Sequence, residues 1–355
     1  MQLALIIGAI VLTIAGILFA AELFTNAIEW VGRKFKLSMG IVGSVLAAVG
    51  TALPETLVAV VAVIMGSMGI VKGGHDIGTG AILGAPFMLG TLAFFMTGAS
   101  YYVSRKMKKR TADFNIDMNV VAKDLVYFIV AYTIAISLGL LKHYAFPVGG
   151  VMHIVDLIVA IALMLIYVIY VYKQANTGSK MDNWDISPLH IQKRCDGEPK
   201  RRFIFLQIFM ALMIMFIGSQ LFVFEIQAMA SIIAIPALIV ALLLVPIATE
   251  LPEKFNSVLW VSRGHDTLAM GNISGAMVLQ ATFPVSIGLI FTEWTFALLS
   301  LETLSAFLAL LSAGIMLIGW KLTGKLHPAL LLLGGVFYLI YLAAVIIALN
   351  LGGLH

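Results

Sequence analysis

Apolar residues run in long blocks with short polar or basic interruptions. Blocks near 3–25, 39–66, 76–98, 118–141, 148–172, 203–225, 232–260, 267–292, 296–319 and 328–349 are each long enough to cross about 30 Å of hydrocarbon. They predict ten transmembrane helices and an all-α membrane protein. The longest polar stretch, about 173–202, contains Gly178, Pro188, Gly197 and Pro199 and reads as a short connection with five helices on either side. The chain therefore divides into a first five-helix unit, 1–172, a polar cytoplasmic linker, 173–202, and a second five-helix unit, 203–355. The first block lacks a basic start and carries Glu22 and Glu29 near its end, so it reads as a mature helix and not as a secretory signal.

Composition agrees with this pattern: 61% of residues are hydrophobic, 11% are charged and the mean hydropathy is +1.04, which excludes an ordinary soluble domain. The distribution of lysine and arginine adds orientation. Eighteen fall in the odd-numbered loops, among them Arg33, Lys34, Arg105, Lys106 and Arg110, whereas the even-numbered loops hold only Lys72 and Lys142. Basic loops stay on the cytoplasmic side, so both termini are expected on the opposite face, in a plasma or inner membrane. An odd number of helices per unit then sets the second unit upside down relative to the first. The basic loops read as topology signals and not as a nucleic-acid surface; the partners are the lipid bilayer and inorganic cations, and protein partners are not specified. Cys195, the single cysteine, falls in the linker, so no intramolecular disulfide can form.

A proline-glutamate step occurs twice inside apolar helices, in Gly50-Thr51-Ala52-Leu53-Pro54-Glu55 and in Ala248-Thr249-Glu250-Leu251-Pro252-Glu253. Glu55 and Glu253 are 198 residues apart, and the same interval relates Glu22-Leu23-Phe24 to Gln220-Leu221-Phe222. Pro54 offers no N–H to the carbonyl of Gly50, and Pro252 none to that of Ala248, so each helix is expected to break or kink beside its glutamate. Freed carbonyls at membrane depth need protein, water or an ion. Carbonyl, threonine hydroxyl and carboxylate oxygens are what hard cations such as Ca2+ and Na+ take. Thr51 and Thr249 each lie four residues before their glutamate, on the same helix face.

The following helix is also duplicated. Gly74-His75-Asp76 matches Gly264-His265-Asp266, and the glycine-bearing segment 80–85 matches 271–276. Asp76 and Asp266 are expected near helix starts, His75 and His265 on opposite membrane sides, and the small residues at close helix crossings.

These motifs resemble the alpha repeats of the cation/calcium exchanger superfamily, in which a helix bearing Gly-Thr-Ser-Leu-Pro-Glu precedes one bearing Gly-Asn, Gly-Ser-Asn and a further Asn or Asp. The resemblance implies Glu55 and Glu253 as central calcium ligands, with oxygens from Thr51 and Thr249. The family serine before Leu-Pro-Glu is Ala52 in one copy and Glu250 in the other. That of Gly-Ser-Asn is Ala85 and Ala276, its asparagine is Pro86 and Met277, and the later amide or acid falls on Leu89 and Gln280. In the family those positions help to build sodium sites. Their replacement, and the third carboxylate that Glu250 brings, lean the counter-ion toward protons.

The resulting expectation is a secondary antiporter and not an enzyme, without a cofactor, exchanging Ca2+ for Na+ or H+. Its metal-ligating set is Glu55, Glu253, Thr51, Thr249, the carbonyls at Gly50 and Ala248, Glu250 and Gln280. The alternatives are a cation channel and an antiporter for Mg2+ or Mn2+. No Gly-x-x-x-x-Gly-Lys loop is present, which speaks against an ATP-driven pump. Glu22, Asp124, Asp156 with His153, and Glu302 are expected to make interhelical or interfacial contacts.

Overall fold

The computed structural model describes residues 2–35, 48–145, 150–175, 187–192 and 199–350. The start of the second apolar block and most of the linker, Cys195 included, lie outside these residues. So do the side chains of Thr51, Ala248 and Glu253 and the surroundings of Gly50, although all four sit in described helical backbone. Fourteen helical segments account for the ten expected spans: α1 (Gln2–Lys34), α2 (Ala48–Ser67), α3 (Gly74–Met88), α4 (Phe94–Lys106), α5 (Met118–Tyr144), α6 (Gly150–Ala175), α7 (Arg201–Ile233), α8 (Ala237–Thr249), α9 (Leu251–Ser262), α10 (Asp266–Gln280), α11 (Phe283–Phe291), α12 (Leu301–Thr323), α13 (Pro328–Leu331) and α14 (Leu333–Asn350). Among the described residues, eight helices are long and apolar enough to span a bilayer; two shorter apolar stretches, Ala52–Ser67 and Ala237–Ile247, lie in α2 and α8. The protein is an integral, multi-pass membrane protein.

The two halves are inverted repeats that interlock. The first helices of the halves, α1 and α7, pack along each other. Gln207 of α7 donates to the Leu23 carbonyl at 2.8 Å and to Asn26 Oδ1 at 3.0 Å. Beyond that pair each half reaches into the other in the same way: α3 lies against α8 and α12, while α10 lies against α2 and α5. The outermost helices follow suit, α6 on α11 and α14 on the end of α3 and α4. Polar contacts fix which ends coincide. Arg110, just past α4, binds the Asp266 carboxylate at the start of α10 through both terminal nitrogens, at 2.5 and 2.6 Å. The start of α10 therefore sits at the far end of the α3–α4 span from the start of α3, which puts His75 and His265 at opposite ends. This antiparallel placement is the inversion.

Asp124 and Asp156 are buried and bridge helices. Asp124 accepts from Ser274 of α10 at 2.6 Å and from the Tyr170 hydroxyl of α6. Asp156 of α6 pairs with Lys142 at 2.8 Å, and Lys142 also donates to the Glu293 carbonyl at 2.5 Å. Lys142 was expected in a loop. It lies instead in the last turn of α5 and is buried, where an acidic partner and a carbonyl replace the water it would have in a loop. Glu22 faces His190 at 3.6 Å near the linker.

Candidate cation site

The two proline-glutamate copies do not distort their helices alike. Of the break or kink expected at each copy, α2 shows no break and continues through Pro54 as one helix, whereas the second copy separates α8 from α9 at Glu250, whose φ of −90° and ψ of 5° leave the helical well. The difference follows from proline count. Pro246 and Pro252 remove two ladder donors within seven residues, and Pro54 removes one. The helix after each copy is irregular at matching positions. α3 passes into a single π-helical turn at Leu89–Ala93, and α10 ends at Gln280 before α11 restarts at Phe283. Single π turns inside α-helices are frequent at functional sites.

Glu55 is 2% exposed, and its Oε1 accepts from Gln280 Nε2 at 3.0 Å. This bond joins the second helix of one repeat to the third of the other, so two residues singled out in the sequence meet although 225 positions apart. Thr249 is buried and its hydroxyl donates to the Val245 carbonyl at 2.8 Å, so its proton is spent within the helix and its oxygen can act only as an acceptor. Thr56, one residue past Glu55, donates to the Ala52 carbonyl at 2.7 Å. Glu250 is wholly buried at the break. Its carboxylate meets the ammonium of Lys254, one helical turn on, at 3.0 Å, and the same ammonium reaches the Pro246 carbonyl at 3.2 Å.

Lys254 is the residue that reading the sequence missed. Glu250 was taken as a third carboxylate in the cavity, yet a buried cation faces it. The spacing of four on a helix was the available signal. Ala52, Ala85 and Ala276 are buried and bring no side-chain oxygen, as expected, and Leu89 likewise. Asp266 holds Arg110 and the Asn115 backbone and does not enter this region.

The architecture has known counterparts. The family model for the sodium/calcium exchanger protein matches residues 5–175 and 203–350, which is most of the chain. The chain belongs to the sodium/calcium exchanger family. The sequence is 24% identical over 279 residues to the inner membrane protein YrbG of Escherichia coli, covering 77% of this chain and 76% of that one. It is 23% identical over 291 residues to an uncharacterized membrane protein of Methanocaldococcus jannaschii, covering 82% and 83% of the two chains. Among solved structures, the H+/Ca2+ exchanger CAX superposes with a TM-score of 0.72 at 17% identity, covering 97% of this chain and 87% of that one. The sodium-calcium exchanger NCX_Mj, soaked with Na+ and Sr2+, superposes with a TM-score of 0.59 at 18% identity over 96% and 99%. At such identities these structures establish the fold alone, and its inverted repeats agree with those described above.

Proposed function

We propose that this member of the sodium/calcium exchanger family is a secondary antiporter that carries a divalent cation, Ca2+ before Mg2+ or Mn2+, in exchange for Na+ or H+ by alternating access. The observation that carries the reading is the buried Glu55–Gln280 bond between the repeats, beside a second helix broken at a proline-glutamate step. Buried carboxylates and interrupted helices between inverted repeats are how carriers hold ions near the midplane. Glu55 and Glu253 are the divalent ligands of this reading. Thr51, Thr249 and the carbonyls of Gly50 and Ala248 complete the oxygen shell, and Gln280 orients Glu55. Both termini face away from the cytoplasm.

The counter-ion reading leans toward protons, since Ala52, Ala85, Leu89 and Ala276 bring no oxygen for a sodium shell. Purified protein in liposomes, loaded in turn with each divalent cation and driven by a sodium or a pH gradient, tests both parts. Divalent uptake that persists without sodium and follows a pH gradient is the expected result, and strict sodium dependence unaffected by pH would overturn the proton reading. Uptake unaffected by both gradients, or discrete single-channel currents, would exclude the antiporter.

A further inference from the structure

Lys254 is among the largest fully buried side chains, and burying an ammonium is costly unless oxygens replace its water. It lies in the first turns of α9, and helical side chains lean toward the N-terminus, so its charge sits at the end of the helix where the dipole is least favourable to a cation. Helix stability therefore does not account for it. What receives it is one carboxylate oxygen, Glu250 Oε2, and the backbone carbonyl of Pro246 in the broken segment. These are the donor types that an alkali cation takes. Both Glu250 carboxylate oxygens are buried and without a hydrogen-bond partner among the described residues, so Oε2 meets the ammonium as an ion pair at 3.0 Å and Oε1 is left with nothing.

We infer that the Lys254 ammonium is a tethered cation standing in an oxygen site of the second repeat, and that it cancels Glu250 so that the cavity carries only the charge of Glu55 and Glu253. The inference rests on the antiporter reading for the role of those two glutamates. Its consequence is a limit on cargo: one divalent cation or two monovalent ones neutralise the cavity. A purely structural ion pair leaves the same net charge, so the two roles are separated by single substitutions and not by the cargo limit.

The two roles differ in sign. If the pair only holds the break together, Glu250→Gln and Lys254→Gln both loosen the site and both weaken cation binding. If Lys254 is a resident charge, they act in opposite directions. Equilibrium binding of radiolabelled Ca2+ to the full-length protein in nanodiscs, at fixed pH, reads this directly, with Mn2+, Mg2+ and Na+ as further probes. E250Q leaves the ammonium uncancelled and is expected to weaken Ca2+ binding at least tenfold. K254Q is expected to tighten it at least tenfold, and E250Q/K254Q to fall between them. Weakened or unchanged binding in K254Q overturns the inference.

Should K254Q fail to fold, the double variant against E250Q alone decides. At least tenfold tighter binding in the double variant supports the resident charge, and equal binding refutes it. A wild-type protein that binds Mn2+ or Mg2+ but not Ca2+ corrects the choice of cargo, and the same order of variants for the bound cation then tests Lys254. A wild-type protein that binds none of the four cations removes both readings.

Discussion

Replacing Glu55 by glutamine is the sharpest probe of the site. Glutamine keeps the length and shape of the side chain, and its amide oxygen can still accept the 3.0 Å bond from Gln280 Nε2, so the contact between the repeats survives. The charge alone is lost. At 2% exposure little water stands ready to compensate. Losing one member of a buried charge pair costs about 3–5 kcal/mol. At about 1.4 kcal/mol per decade, that is roughly a hundredfold to several-thousandfold in cation affinity. Isothermal titration with Ca2+, run beside a melting curve in detergent, separates binding from folding. The expected outcome is a melting temperature within a few degrees of wild type and no saturable Ca2+ binding in the range where wild type saturates. Affinity within threefold of wild type would show that Glu55 is a structural carboxylate and that the site lies elsewhere.

Other outcomes are expected on similar grounds. Thr249→Ala removes one hydroxyl while leaving the Val245 carbonyl able to serve in its place, so Ca2+ affinity should fall about tenfold or less, about 1 kcal/mol, in the same titration. Asp266→Asn strands the buried Arg110 guanidinium and should destabilise the protein by about 3–5 kcal/mol, seen as early melting with Ca2+ affinity retained in the folded fraction. Single cysteines placed near Arg105 should label from the cytoplasmic side and those near His75 from the other; the reverse pattern would overturn the orientation inferred from basic loops.

Much of the architecture was legible because bilayer thickness imposes a length that any apolar block must meet. The ten spans and their inversion follow from that length and from where the basic residues fall. The break at Glu250 was legible for a second reason, the two prolines around it. The continuity of α2 through Pro54 was not, since a single missing donor is compatible with either a kink or an unbroken helix. Nor was the π-helical turn at Leu89–Ala93, since Pro86 before it and Gly90 within it mark irregular helix without specifying a π turn. At the site, Glu55 and Gln280 were each visible in the motifs, but their bond depends on how the repeats cross. Lys142 and Lys254 show the commonest failure. A lysine in an apolar stretch reads as a boundary or a stray charge until its acidic partner is located, and for Lys142 that partner, Asp156, sits on the next helix.

Gly80 and Gly84 of α3 lie so close to α8 that an added methyl would come within 2.4 Å of the Leu238 and Leu242 carbonyls, whereas a methyl on Gly271, the counterpart of Gly80 on α10, would meet nothing within 4 Å. This one motif position is thus packed tightly in one half and open in the other. If the halves trade arrangements as the cycle proceeds, Gly271 becomes the position with no room to spare, and a larger residue there acts as a ratchet pawl. Gly271→Leu would then load from one face of the membrane and never complete the opposite stroke.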